Sequence, residues 1–155
     1  MVTAQYFDTS ALVKRYVDEV GSLWVRDRVD TATGLLLTSS MTRVEVACAL
    51  ARRYREGTLT RDVHDELWQA FSYDVAVRLR TLRINLDALT IAERLAKHYP
   101  LRAYDAVHLA TALVARKRLA AEGIFGVTFL SADYRLLEYA RREGIAVENP
   151  LDYAS

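Results

Sequence analysis

The segment Ala103–Ala115 places the strongest constraint on the fold. Its alanines, leucines and valines favour a helix that is apolar on nearly every face, and such a helix has to lie inside the protein. Asp105 is the only formally charged residue in it. A carboxylate buried alone is costly, so such groups are paired, hydrogen-bonded or bound to a cation. The run itself supplies no lysine or arginine, and Arg102 precedes Asp105 by about one turn. Two readings stand. Either Asp105 is a first-turn residue that complements the helix dipole and bonds to Arg102, or it faces a polar cleft and belongs to a site built from distant segments.

The rest of the chain alternates short apolar strands with helices. Strands are predicted at Val2–Phe7, Leu35–Ser39, Val77–Ile84, Gly126–Ser131 and Ile145–Val147. Between them, helical spacing runs through Ala11–Val17, Leu23–Val25, Met41–Arg55, Arg61–Tyr73, Ala88–Tyr99, the Asp105 segment and Tyr134–Arg142. Thr9 or Ser10 is expected to cap the first helix, Ser39, Ser40 or Thr42 the third, Thr60 the fourth and Asp87 the fifth. Val63, Leu67, Trp68 and Phe71 should form the inner face of the fourth, with Trp24, Trp68 and Phe71 in the core, lining a groove for a partner helix or forming a homodimer contact. Such alternation predicts an α/β fold with a parallel sheet and helices on both faces. Residues 1–155 are expected to form one domain, because 155 residues bury roughly 70% of their unfolded surface without disulfide or structural metal.

Several classes are excluded or disfavoured. One cysteine, Cys48, permits no internal disulfide and is expected to be a buried small hydrophobe. The first residues carry no basic leader pattern and no apolar run approaches the ~20 residues of a membrane span, so a cytoplasmic protein without membrane association is expected. Zinc-type Cys–His groupings, a G-x-S-x-G elbow and glycine-rich phosphate loops are all missing. A net charge of +1 gives no general case for nucleic acid, although arginines cluster locally.

In parallel α/β sheets, sites form at the carboxyl ends of the strands. Asp8 ends the first strand and Asp133 follows the Gly126–Ser131 strand, although each also suits a helix N-cap. Glu45 sits among Val44, Val46, Ala47, Cys48 and Ala49, which predicts partial burial. If Asp8, Glu45, Asp105 and Asp133 converge on one rim, their repulsion calls for a cation. Oxygen-only donors select a hard ion, Mg²⁺ or Mn²⁺, which suits phosphodiester hydrolysis by an activated water.

Phe7-Asp8-Thr9-Ser10-Ala11-Leu12, Thr42-Arg43-Val44-Glu45-Val46-Ala47, Leu101-Arg102-Ala103-Tyr104-Asp105-Ala106-Val107-His108-Leu109-Ala110 and Leu130-Ser131-Ala132-Asp133 resemble, in order, the four motifs of PIN-domain nucleases. More narrowly, the chain resembles VapC toxins of bacterial and archaeal toxin–antitoxin pairs. The resemblance implies a three-layer α/β/α fold on a five-stranded parallel sheet. It further implies a Mg²⁺- or Mn²⁺-dependent endoribonuclease that leaves 5′-phosphate and 3′-hydroxyl ends, a VapB-like antitoxin and a homodimer or toxin–antitoxin hetero-oligomer. Carried over, Asp8, Glu45 and Asp105 would be metal ligands; Asp133 would be a fourth, directly, through water or at a second metal. Thr9, Ser10 and Ser131 would be polar supports. The interval from Asp105 to Asp133 is long for a compact member of this family, and the extra turns of the Asp105 helix are expected to project away from the sheet.

His108 lies three residues after Asp105, on nearly the same helical face, and is expected to be a core or supporting side chain. Arg43 and Arg102 flank the acids and either place the RNA backbone or pair with the carboxylates. The alternatives to a toxin are a PIN-like nuclease or binding module with a non-toxin role in RNA processing, and a metal-dependent phosphatase or receiver domain. A receiver would want an acid pair after the first strand, where only Asp8 stands.

Overall fold

A computed structural model describes residues 3–153. Five strands, β1 (Thr3–Phe7), β2 (Leu35–Ser39), β3 (Arg80–Leu82), β4 (Gly126–Leu130) and β5 (Ala146–Glu148), form one parallel sheet in the order β3-β2-β1-β4-β5. The chain builds outward from β1 to β3, then returns to the other side of β1 for β4 and β5. Beside each other, β1 and β4 thus form the switch point where open α/β sheets carry their crevice.

Alternate residues of the buried strands supply two separate cores. Ala4, Tyr6, Leu37, Val127 and Phe129 face one side, where they meet α5 (Leu86–His98), α6 (Ala103–Ala121) and α7 (Tyr134–Arg142). Phe7, Leu36 and Leu130 face the other, against α1 (Thr9–Leu12), α2 (Ser22–Asp30), α3 (Thr42–Arg55) and α4 (Arg61–Val77). The result is the expected α/β/α sandwich. Helix α6 is interior as its composition demands: Ala106, His108, Leu109, Ala110, Thr111, Ala112, Leu113 and Ala115 are all buried. Its first turn lies at the carboxyl rim of the sheet, and burial falls away beyond Ala115 as its extra turns run toward the start of β4.

Several local expectations are corrected. The predicted strand Val77–Ile84 shrinks to Arg80–Leu82, because α4 continues through Val77. Asp74, buried near that helix end, accepts from Arg15 Nε and Tyr16 Oη, both at 2.7 Å, while its carbonyl accepts from the amides of Arg78 and Leu79. This tertiary anchor overrides the alternating pattern. Leu79, between helix and strand, still fills the core.

The first helix is capped by Asp8 rather than Thr9 or Ser10, and α5 by Asn85 rather than Asp87. No side chain caps α3; Thr42 instead shares a buried hydrogen bond of 2.7 Å with Thr38. Thr60 caps α4 as expected. Cys48 is exposed rather than buried, since α3 packs through Thr42, Val46 and Leu50 and turns Cys48 outward. Phe71 is fully buried, whereas Trp24 and Trp68 are only partly so and Val63 is exposed. Val2 of the first predicted strand lies outside the described residues. No described helix is long and apolar enough to cross a membrane.

Candidate active site

The ends of β1 and β4 are tied together where the crevice opens. The Asp8 amide donates to the Leu130 carbonyl at 3.0 Å. Asp8 then leaves the sheet and caps α1, its Oδ1 accepting from the Ala11 amide at 3.0 Å and from Ser10 Oγ at 2.7 Å. The Ser10 hydroxyl also accepts from the Ala132 amide at 3.0 Å and lies 3.3 Å from Ser131 Oγ, which in turn accepts from the Asp133 amide. Ser10 and Ser131 therefore stitch the two motif loops together beneath the acids. Asp133 caps α7, accepting from the amides of Arg135 and Leu136, with its residue exposed.

Asp105, in the first turn of α6, faces the same crevice. Burial raises its pKa above the ordinary carboxylate value, and the charges of Asp8 and Asp133 raise it further against the opposing influence of His108 and Arg102. Asp8 is only 4% exposed, and burial raises its pKa too, outweighing His108 and the hydrogen bonds from Ser131, Ser10 and Ala11. Three of the predicted acids thus sense one another or share this rim.

Glu45 behaves differently. From α3 it reaches His108 Nε2 at 2.6 Å and accepts from Thr9 Oγ1 at 2.9 Å, both through Oε1. Burial works to raise its pKa, but the hydrogen bond and charge of His108, with Thr9, carry it below the ordinary value. His108 is itself 2% exposed, and its Nδ1 lies 2.9 Å from the hydroxyl of Tyr6 in β1. Tyr6 is a member of this site that sequence reasoning missed. Its signal was a tyrosine in an inward strand position, because a buried phenol needs a partner.

A cleft of about 640 Å³ lies beside Asp105 and Asp133, between the starts of α6 and α7. Arg102, Tyr134, Arg135 and Tyr139 also line it. Neither Arg102 nor Arg135 forms an ion pair among the described residues, so the proposed Arg102–Asp105 pair is not made. Arg43 stands elsewhere, 5.4 Å from the Trp68 ring centre, also without a carboxylate partner among those residues.

A hard divalent cation suits this donor set. Asp8, Asp105 and Asp133 offer oxygen alone, and no lysine or arginine forms an ion pair with them among the described residues. As they stand, however, no three histidine, cysteine or acidic side chains among those residues are close enough to hold one ion. The fit to a hard divalent ion is therefore one of donor chemistry.

The family model described as the PIN domain matches residues 6–142, which include all four acids. The chain belongs to the PIN-domain family. Solved structures share this PIN fold at low identity. The VapBC2 structure from Rickettsia felis, described as bound to a promoter DNA fragment, matches with TM-score 0.63 and 12% identity over 95% of this chain and 98% of that one. A DNA-bound VapBC from Salmonella typhimurium gives 0.62 and 17%, over 97% and 99%. VapBC-5 from Mycobacterium tuberculosis, described as a member of a family of toxin–antitoxin systems, gives 0.53 and 18%, over 95% and 97%. No curated protein shows significant sequence similarity to the chain.

Proposed function

We propose that this PIN domain is a Mg²⁺- or Mn²⁺-dependent endoribonuclease, the toxin of a toxin–antitoxin pair. The observation that carries the reading is the gathering of Asp8, Asp105 and Asp133 at the β1/β4 crevice with no ion-paired lysine or arginine among the described residues; burial raises the pKa of Asp8, and burial with the charges of Asp8 and Asp133 raises that of Asp105. Asp8, Glu45 and Asp105 would hold the cation, with Asp133 as a fourth ligand directly or through water. When bound, the ion supplies Lewis acidity for water activation and offsets charge developing on a phosphoryl oxygen.

The chain's own residues supply placement. Ser10 and Ser131 hold Asp8 and the Asp133 loop in register. Arg102 and Arg135, free of carboxylate partners among the described residues, are suited to flanking phosphates, and the Tyr134 and Tyr139 rings to unpaired bases. Water adds to phosphorus, the bond to the 3′ oxygen breaks, and that oxygen leaves protonated. A 5′ phosphate remains on the other fragment.

Kinship in fold with proteins described as VapBC complexes supports a VapB-like antitoxin as partner, with a homodimer or toxin–antitoxin hetero-oligomer as the assembly. The test is incubation of purified protein with structured RNA and Mn²⁺, with and without excess chelator. Cleavage is expected only with the metal, and Asp105→Asn is expected to abolish it. Equal cleavage by the variant overturns the site, and full activity in chelator overturns the metal dependence.

A further inference from the structure

His108 sits at the centre of a closed hydrogen-bonded group that the four acidic motifs do not account for. Its ring is buried among α6, β1 and α3, with both nitrogens engaged. Nε2 lies 2.6 Å from Glu45 Oε1 and 3.4 Å from Thr9 Oγ1, and Thr9 donates to the same Oε1 at 2.9 Å. Nδ1 lies 2.9 Å from the Tyr6 hydroxyl. Tyr6 is itself immobilised: it is fully buried and stacked on Phe129 at 5.6 Å between ring centres.

Counting protons assigns the group. A carboxylate oxygen only accepts, so the short contact at Nε2 needs a proton on that nitrogen. Tyr6 remains a phenol, since burial, then Asp8 and Glu45, push its ionisation well upward. If its O–H donates to Nδ1, the Tyr6 hydroxyl and both ring nitrogens are satisfied, with the Nε2 proton directed at Glu45. Oε1 of Glu45 then takes two donors, Thr9 and His108, which fill its two lone pairs. Among the described residues Oε2 has no hydrogen-bond partner.

We propose that His108 is a positioning residue. Held by Tyr6 with its proton on Nε2, it works with Thr9 to occupy Oε1 of Glu45 and offer Oε2 alone to the cation. One-oxygen ligation suits Mg²⁺ or Mn²⁺, which keep several waters and need few carboxylates. A histidine that orients a liganding carboxylate is the converse of the familiar carboxylate that orients a liganding histidine. This inference rests on the metal-binding reading above and names how one of its ligands is held.

Two measurements test it. In metal-free protein, long-range proton–nitrogen correlations of the His108 ring are expected to show a proton on Nε2. Mn²⁺ affinity is then measured by calorimetry, with folding checked by circular dichroism. His108→Met, which removes the donor, is expected to weaken Mn²⁺ binding by about 10–100-fold. His108→Gln, whose amide still reaches toward Glu45, is expected to recover most of that loss. Thr9→Val, at a less buried position, is expected to lose several-fold and keeps the test open if the Met variant does not fold.

A ring with no proton on Nε2 overturns the inference whether or not metal binds. So does Mn²⁺ affinity within about twofold of wild type in both His108→Met and Thr9→Val. A wild type that binds no Mn²⁺ overturns the underlying metal reading, and the proposed role falls with it.

Discussion

The pair of arginines in the cleft gives the substrate reading a number. Arg102 and Arg135 line the same cleft as Asp105 and Asp133, and neither is neutralised by a carboxylate among the described residues. If each meets one phosphate of a single RNA strand, each adds about 0.7 to the slope of log affinity against log salt. The double variant Arg102→Ala/Arg135→Ala should therefore lose about 1.4 from that slope. Between roughly 50 and 200 mM salt, wild-type affinity should then fall about sevenfold more than that of the double variant. The assay is fluorescence anisotropy of a labelled single-stranded RNA in chelator, where no cleavage competes. Arg118→Ala, near the opposite end of α6, is the control and should leave the slope unchanged. A double-variant slope equal to wild type, or an equal loss in the Arg118 control, refutes phosphate contact at this cleft.

Asp74→Ala should leave the largely buried Arg15 guanidinium without its closest partner and free the Tyr16 hydroxyl, costing about 3–5 kcal/mol in urea unfolding. A loss below about 1 kcal/mol would remove Asp74 as the reason α4 overruns the predicted strand. In metal-free protein the raised pKa values of Asp8 and Asp105 mean that the folded state holds protons the unfolded chain has released. Their effect on stability therefore worsens as pH rises from the ordinary carboxylate value of 3.8 through the folded values. The melting temperature of Asp105→Asn minus that of wild type should grow from about pH 4 to pH 7. A difference that is flat or shrinks contradicts the electrostatics, and added Mn²⁺ should raise the wild-type melting temperature specifically. Gly34→Ala would place a Cβ 2.2 Å from the Thr3 carbonyl oxygen at the start of β1; a backbone shift costing about 1–3 kcal/mol is expected, and a melting temperature equal to wild type would refute it.

Much of this architecture follows from local pattern. The apolar circumference of α6 could only be an interior helix, and the Leu35–Ser39 run could only be satisfied as a buried strand. Strands alternating with helices led to a parallel sheet, and the rule for strand ends drew attention to Asp8 and Asp133. The same local logic misread places where distant groups intervene. Asp74 draws α4 past its expected end through Arg15 and Tyr16, and the packing face of α3 turns Cys48 out although its sequence neighbours are apolar. Asp8, not the hydroxyl residues beside it, caps α1, so one carboxylate serves both helix and site.

For the acid in the apolar helix, composition alone established an anomaly: Asp105 needed a partner and its own segment held none. Only the tertiary structure decided which charges surround it. The switch between β1 and β4 sets Asp8 and Asp133 near enough to raise its pKa, while Glu45 is held by His108, Thr9 and, through the ring, Tyr6. Periodicity reports which face a residue occupies within its own element. The hydrogen-bond partners of Glu45 and His108 lie between 36 and 102 residues away in the chain, so folding alone brings them together.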